Sequence, residues 1–168
     1  LAMSAVLGSG ALAAGRVAPS DIGQGPDIIR ISGPPALQSG TDVENLNTTE
    51  TFATIQDAIS DPDTDTGHVL QVQVASHSEG LVTVNKSVTI QGSGGGSAIL
   101  ATTDTGTSGD GRGWFLVTAA GVTFKDLDFD GQSGSGRSIY QCIRFRASGG
   151  SVQDCSFANV IGLPASSY

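Results

Sequence analysis

One stretch of this chain repeats itself. Residues 113–129 (GWFLVTAAGVTFKDLDF) align without a gap on residues 141–157 (QCIRFRASGGSVQDCSF), at an offset of 28. Ala119 falls on Ala147, Gly121 on Gly149, Asp126 on Asp154 and Phe129 on Phe157. The apolar positions coincide too: Phe115 with Ile143, Val117 with Phe145, Phe124 with Val152, Leu127 with Cys155. Within each copy apolar and polar residues alternate over short runs, the period of a strand with one buried face. A unit this small cannot bury its inward face alone. Stacking successive units builds a continuous core and sets like residues above like. The expectation is an all-β solenoid with parallel strands, in which Phe129 lies near Phe157 and Asp126 near Asp154.

The rest of the chain fits that expectation. Leu70, Val72 and Val74 alternate with Gln71 and Gln73. Val82 and Val84 alternate with Thr83 and Asn85, and Val88 and Ile90 with Thr89 and Gln91. Each run ends in Gly, Ser or Asn, so each reads as a short strand. Residues 51–60 (TFATIQDAIS) predict the one helix. Phe52, Ile55, Ala58 and Ile59 share a face, Thr49 or Thr51 is placed to cap it, and Asp61-Pro62 stops it. The polar surface is built from 20 Ser, 15 Thr and 24 Gly rather than from charge, since Asp, Glu, Lys and Arg make up only 14%. That is the composition of many short strands and turns.

The division by composition is an apolar arm at 1–15, a Pro- and Gly-punctuated irregular lead-in at 16–48 with one candidate strand at 27–31, and a β domain at 49–168. The arm (LAMSAVLGSGALAAG) is uncharged and resembles the end of a secretory signal. It is too short to span a bilayer, and no other window reads as a transmembrane span. The expected location is therefore secreted or at the cell surface, the arm being a retained signal or an element of assembly.

The segment 52–59, the strand that follows it, Glu79 and the run 82–92 (VTVNKSVTIQG) together resemble the opening of right-handed parallel β-helix proteins of the pectate-lyase-like superfamily. The resemblance covers about residues 50–160. It implies a right-handed solenoid of about three coils capped at its N-terminal end by a short helix. It says little about activity, since lyases, esterases, surface adhesins and phage tail proteins share this opening. The Gln, paired Asp and Arg of the esterase-like members have no counterpart here. Neither does the acidic calcium cluster with catalytic Arg or Lys of the lyase-like members. No catalytic residue is assigned.

A net charge of −8 with no basic run excludes nucleic acid and disfavours anionic membrane surfaces. Asp61, Asp63 and Asp65 alternate in a Gly-ended loop, which suits calcium, though no cofactor is required. Asp126, Asp128 and Asp130 alternate with Leu127 and Phe129, so they read as outward-facing. With Asp154 one coil above and the outward Arg144, they form the acidic face on which any site would lie. The alternative for both clusters is a solvated surface. Trp114, in the outward phase, and Tyr140 are candidate glycan-stacking platforms. His68 and His77 show no partner, and the 92–96 run is a turn rather than a phosphate loop. Asn47 and Asn85 head glycosylation sequons. Cys142 and Cys155 fall in opposite phases, which disfavours a bridge.

Three functions remain open. The chain is an extracellular structural module that self-assembles as a stalk, filament or surface layer, with copies of itself or a neighbouring surface protein as partners. Or it is a lyase or esterase, or a fragment of one, acting on acidic polysaccharide. Or it is a carbohydrate-binding or adhesin module. The first is preferred because no catalytic set is present and the last coil has no evident cap.

Overall fold

The computed structural model describes residues 41–161. The arm at 1–15, most of the lead-in including the candidate strand at 27–31, and residues 162–168 lie outside that range. Among the described residues thirteen strands fall into three sheets. The chain opens with β1 (Val43–Asn45) and β2 (Glu50–Phe52), which pair antiparallel, and β1 also pairs antiparallel with β3 (Val69–Val72). From β3 onward every ladder is parallel.

The strands visit the three sheets in turn. β3, β4 (Ser76–Glu79) and β5 (Val82–Val84) make the first circuit. β6 (Thr89–Gly92), β7 (Ser97–Ala101) and β8 (Gly113–Val117) make the second. β9 (Thr123–Lys125), β10 (Leu127–Asp130) and β11 (Gln141–Phe145) make the third, and β12 (Ser151–Gln153) with β13 (Ser156–Ala158) begins a fourth. The sheets accordingly run β12-β9-β6-β3-β1-β2, β13-β10-β7-β4 and β11-β8-β5.

The repeat is the register of the last two circuits. Phe115 faces Ile143, Phe124 faces Val152 and Phe129 faces Phe157, each pair 28 positions apart. The stacked columns continue to the start: Leu70, Ile90, Phe124 and Val152 form one, and His77, Ile99, Phe129 and Phe157 another. Leu70, Val72, Val82, Val84, Ile90 and Ile99 are the aliphatic part of the first two circuits. Phe115, Phe124 and Phe129 interlock edge to face in the middle, with centroids 5.4–6.0 Å apart, a favoured arrangement of ring quadrupoles.

The corners explain the identities. Gly121 and Gly149 sit at φ +72° and +75°, and Asp126 and Asp154 at +53° and +50°. The left-handed region favours Gly, and among other residues Asp and Asn. Gly92 is needed for close approach, because a Cβ there would lie 2.1 Å from the Asp126 carbonyl oxygen.

The helix is shorter than the sequence pattern predicts. α1 spans Ile55–Ser60, and neither Thr49 nor Thr51 caps it. Residues 50–52 are drawn into β2 by pairing with β1, so Thr54 becomes the cap and its Oγ1 accepts the Asp57 N–H at 2.9 Å. The expected inward face survives as buried Ile55, Ala58 and Ile59. β1 itself falls in the segment expected to be irregular.

Candidate functional site

Four polar or apolar features stand apart from the regular core. The first is the exposed end of the stack. β11, β12 and β13 are the outermost strands of their sheets. Phe145, Val152 and Phe157 are 38%, 41% and 50% exposed, and Ile161 is 57% exposed. Their counterparts one circuit back, Val117, Phe124 and Phe129, are at most 1% exposed. Phe157 lies flat on Phe129, with centroids 5.3 Å apart and planes 5° apart, and turns its other face outward. Gly150 leaves room for the Phe145 ring, since a Cβ there would meet it at 2.1 Å.

The opposite end is closed. α1 packs on β1, β2, β3 and β5. Gln56 Oε1 accepts the Thr83 N–H of β5 at 2.7 Å, and Glu79 Oε2 accepts the Ile55 N–H at the start of α1 at 2.7 Å. The β1–β2 pair covers the outer edge of β3. Lys86 Nζ donates to the carbonyls of Asp61 and Thr64 and so fastens the loop after the helix. The Thr83 amide of β5, an edge strand, is thus satisfied by a side chain rather than left to template another strand.

Beneath this cap lies a cluster that the sequence pattern did not reveal. His77 is 1% exposed; its Nδ1 lies 3.4 Å from Asp42 Oδ2 and its Nε2 lies 3.1 Å from Glu79 Oε2. Glu79 Oε1 also accepts the Gly80 N–H at 3.1 Å. Buried polar groups persist only when partnered, and this set joins β4 to α1 and to the residue before β1. His68, also expected to stand alone, meets Asn45 Nδ2 at 3.1 Å through Nδ1. The readable signal was the alternation His77-x-Glu79 on one strand, but polar inward positions are invisible to a hydrophobic period.

The third feature is acidic. Glu50, Asp61 and Asp63 bring carboxylate oxygens within 4.8 Å of one another. Asp61 and Asp63 were expected there; Asp65 was not brought in. Asp65 Oδ1 instead accepts the Thr66 N–H, while Asp61 Oδ1 accepts the Asp63 N–H. Glu50 takes its place from β2, and its buried Oε2 has no hydrogen bond among the described residues. Only the hairpin brings Glu50 alongside the loop, so spacing along the chain could not show it.

The fourth is a group of arginines on the third sheet. The long connection at 102–112 folds against β8 and β11, and Asp110 in its final 3-10 turn (Gly109–Arg112) pairs with both Arg144 and Arg146. Arg144 also donates from Nη1 to Gln141 Oε1 at 3.0 Å. Its Nε, 3.5 Å from Asp110 Oδ1, is buried without a hydrogen bond among the described residues. Arg112 lies over the Tyr140 ring, 4.4 Å from its centroid, and Arg137 lies 3.8 Å from Asp104.

These placements correct two expected sites. The acidic face with Arg144 is not assembled. Asp126 and Asp154 are corner residues, Asp128 accepts from Ser156 Oγ at 2.6 Å, and Arg144 belongs to a different sheet with Asp110 as its counterion. Trp114 is not an exposed platform. Trp114 and its neighbour Phe115 are both fully buried, and the Trp114 ring lies 5.3 Å from Phe115 and 5.9 Å from Phe129. Its indole N–H donates to the Gly80 carbonyl at 2.6 Å. Tyr140 is 37% exposed, with Arg112 on its ring. Cys142 and Cys155 are unbridged thiols. Burial pushes the Cys142 thiol up to about 12, and the nearby Cys155 adds to it. Burial also raises Cys155.

Comparison with known proteins gives one informative likeness. Over 73 residues the chain is 40% identical to a cell surface glycoprotein of Methanothermus fervidus, a match covering 44% of this chain and 11% of that protein. The chain therefore spans only a small part of the relative's length. No protein-family model matches the chain, and no solved structure matches it. Among the described residues no helix is long and apolar enough to cross a membrane. The likeness and the parallel, β-rich architecture are consistent with a surface or secreted protein.

Proposed function

We propose that this chain is a structural module of a surface protein: a right-handed parallel β-helix that assembles through the end of its stack. One observation carries the reading. Val117, Phe124 and Phe129 are core in the circuit 113–129, and their counterparts in the circuit 141–157, Phe145, Val152 and Phe157, are exposed. A row of edge strands with an apolar inward face is a template for another layer of strands. The likeness to a cell surface glycoprotein supports the setting.

The carbohydrate-directed readings draw less support. Arg144 is engaged by Asp110 and Gln141, and Trp114 is a core residue. Calcium keeps an accessory place: Glu50, Asp61 and Asp63 offer the hard oxygen ligands it prefers. A rise in melting temperature with calcium but not magnesium would support that site, and equal responses would remove it.

Light scattering of the purified full chain over a concentration series tests the main reading. Association should grow with concentration and be lost in Phe157→Asp with the circular dichroism spectrum retained. A wild-type chain that stays monomeric throughout ends the reading.

A further inference from the structure

The cluster beneath the cap has more contacts than its ordinary protons can serve. His77, Glu79 and Asp42 are all buried, so the three groups act as one another's partners. Glu79 is committed as an acceptor: Oε2 takes the Ile55 N–H at 2.7 Å and Oε1 the Gly80 N–H at 3.1 Å. Its contact with His77, 3.1 Å from Oε2 to Nε2, therefore has the proton on Nε2. On the other side of the ring Nδ1 lies 3.4 Å from Asp42 Oδ2. A neutral imidazole has one N–H, so with Nε2 protonated its Nδ1 is a bare lone pair. Against an ionised carboxylate oxygen that lone pair is repelled, and burial screens the repulsion poorly. One more proton, on Nδ1 or on Asp42, turns the contact into a hydrogen bond. Apart in neutral water the three groups hold one ring proton between them. The folded cluster needs two, and the second belongs to the set rather than to one residue.

Among the described residues the ion pairs of His77 are with Asp42 and Glu79. The other charged groups on the surrounding elements are engaged elsewhere. β7, the ladder partner of β4, and β5 carry none. Asp57 of α1 is exposed, and Glu44 of β1 accepts from Gln73. His68, before β3, is bonded to Asn45, and Lys86 to the carbonyls of Asp61 and Thr64. Asp42 directly precedes β1, and its carbonyl accepts the Gln73 N–H at 2.8 Å, which extends the β1–β3 ladder. The His77 ring thus joins the start of the first strand to the first circuit.

We propose that His77 and Asp42 form a proton-dependent latch, which holds the start of β1 against β4 and loosens as pH rises. The closed latch binds a proton that the open one releases, so closure is strongest where protons are plentiful and weakens as they are removed. Glu79 keeps the Ile55 amide of α1 on β4 in either state. Loosening is therefore confined to β1 and its hairpin partner β2, a local opening rather than unfolding of the stack. The latch is independent of what the other end of the stack does.

The test follows amide exchange in the full chain by NMR from about pH 5 to about pH 8, the range in which an ordinary histidine changes charge. The amides of Phe124 and Phe129, in covered strands, serve as the internal reference for the intrinsic pH dependence of exchange. Relative to them, protection of the β1 amides should fall roughly tenfold over that range. In Asp42→Asn the fall should vanish, because the carboxamide N–H donates to a bare Nδ1. In His68→Gln it should persist, which separates the latch from the other histidine bonded to β1. Ring 15N shifts of the two histidines in the unmutated chain give a readout that needs no variant to fold. His77 Nδ1 should be protonated or hydrogen-bonded at about pH 5. A bare Nδ1 at that pH overturns the proposal. So does β1 protection that parallels the reference throughout, a fall that Asp42→Asn keeps, or one that His68→Gln abolishes.

Discussion

The circuits 113–129 and 141–157 have nearly the same pattern and opposite surroundings. Phe129 is 1% exposed and packs against Trp114, Phe115 and Phe124 on one side and Phe157 on the other. Phe157 repeats its place in the ladder and is half exposed. An apolar pattern therefore states which face of a strand turns inward. Whether that face is buried depends on the next layer. In a stack each layer is core only when another covers it.

The largest effect should come from emptying the covered layer. Phe129→Ala leaves a cavity among four aromatic rings and should lower stability by about 3–5 kcal/mol. Phe157→Ala removes a ring that is already half in water and should cost about 1 kcal/mol. Urea denaturation of both variants at one low protein concentration measures the gap. Equal losses would mean that the last layer is covered in solution, which would make assembly part of the folded unit.

The corners give a second, smaller contrast. Gly121→Ala places a side chain at φ +72° with its Cβ 3.1 Å from Ser87 Oγ, and should cost about 1–2 kcal/mol. Gly149→Ala is equally strained at φ +75°, but its nearest neighbour is 3.5 Å away and it joins two edge strands. Its cost should appear mainly as faster amide exchange in β12 and β13, since edge elements open without global unfolding. Asp126 tests the same idea from the side chain. Asp126→Asn should change stability by less than about 0.5 kcal/mol, because Asn also tolerates the left-handed region. Asp126→Val should cost about 1–2 kcal/mol, because a β-branched residue does not.

Those corners also show where sequence reading succeeds and fails. The register of the last two circuits was legible, because stacking puts identical needs at identical offsets: a left-handed glycine at 121 and 149, a left-handed Asp at 126 and 154. The repeated Asp was legible as a position but not as a role, since a backbone requirement and a carboxylate ligand look alike in one letter. β4 was hidden because its inward residues are His77 and Glu79, and β7 because two of its three inward residues are Ser97 and Ala101. Trp114 departs from strict alternation because it and the next residue, Phe115, are both buried. The Glu50–Asp61–Asp63 and Asp110–Arg144–Arg146 groups depend on a hairpin and a long connection, whose paths no local pattern encodes.

The two thiols report on the same contrast with the smallest perturbation. Cys142 is buried, while Cys155 is partly exposed at the position where the covered circuit has Leu127. At pH 8 iodoacetamide should modify Cys155 well before Cys142, read by peptide mass. The sign of the pH effect follows from Cys142, whose thiol is held up to about 12 from its ordinary 9.0. Between those values the folded chain keeps a proton that the unfolded chain has released. Stability is then complete below pH 9 and falls as pH rises toward 12. Cys142→Ser, which does not ionise in this range, should flatten that decline, whereas Cys155→Ser should change it less. If assembly covers the end of the stack, raising the protein concentration should slow Cys155 alkylation and leave Cys142 as it was. Unchanged Cys155 kinetics across the association range would place that thiol outside the contact.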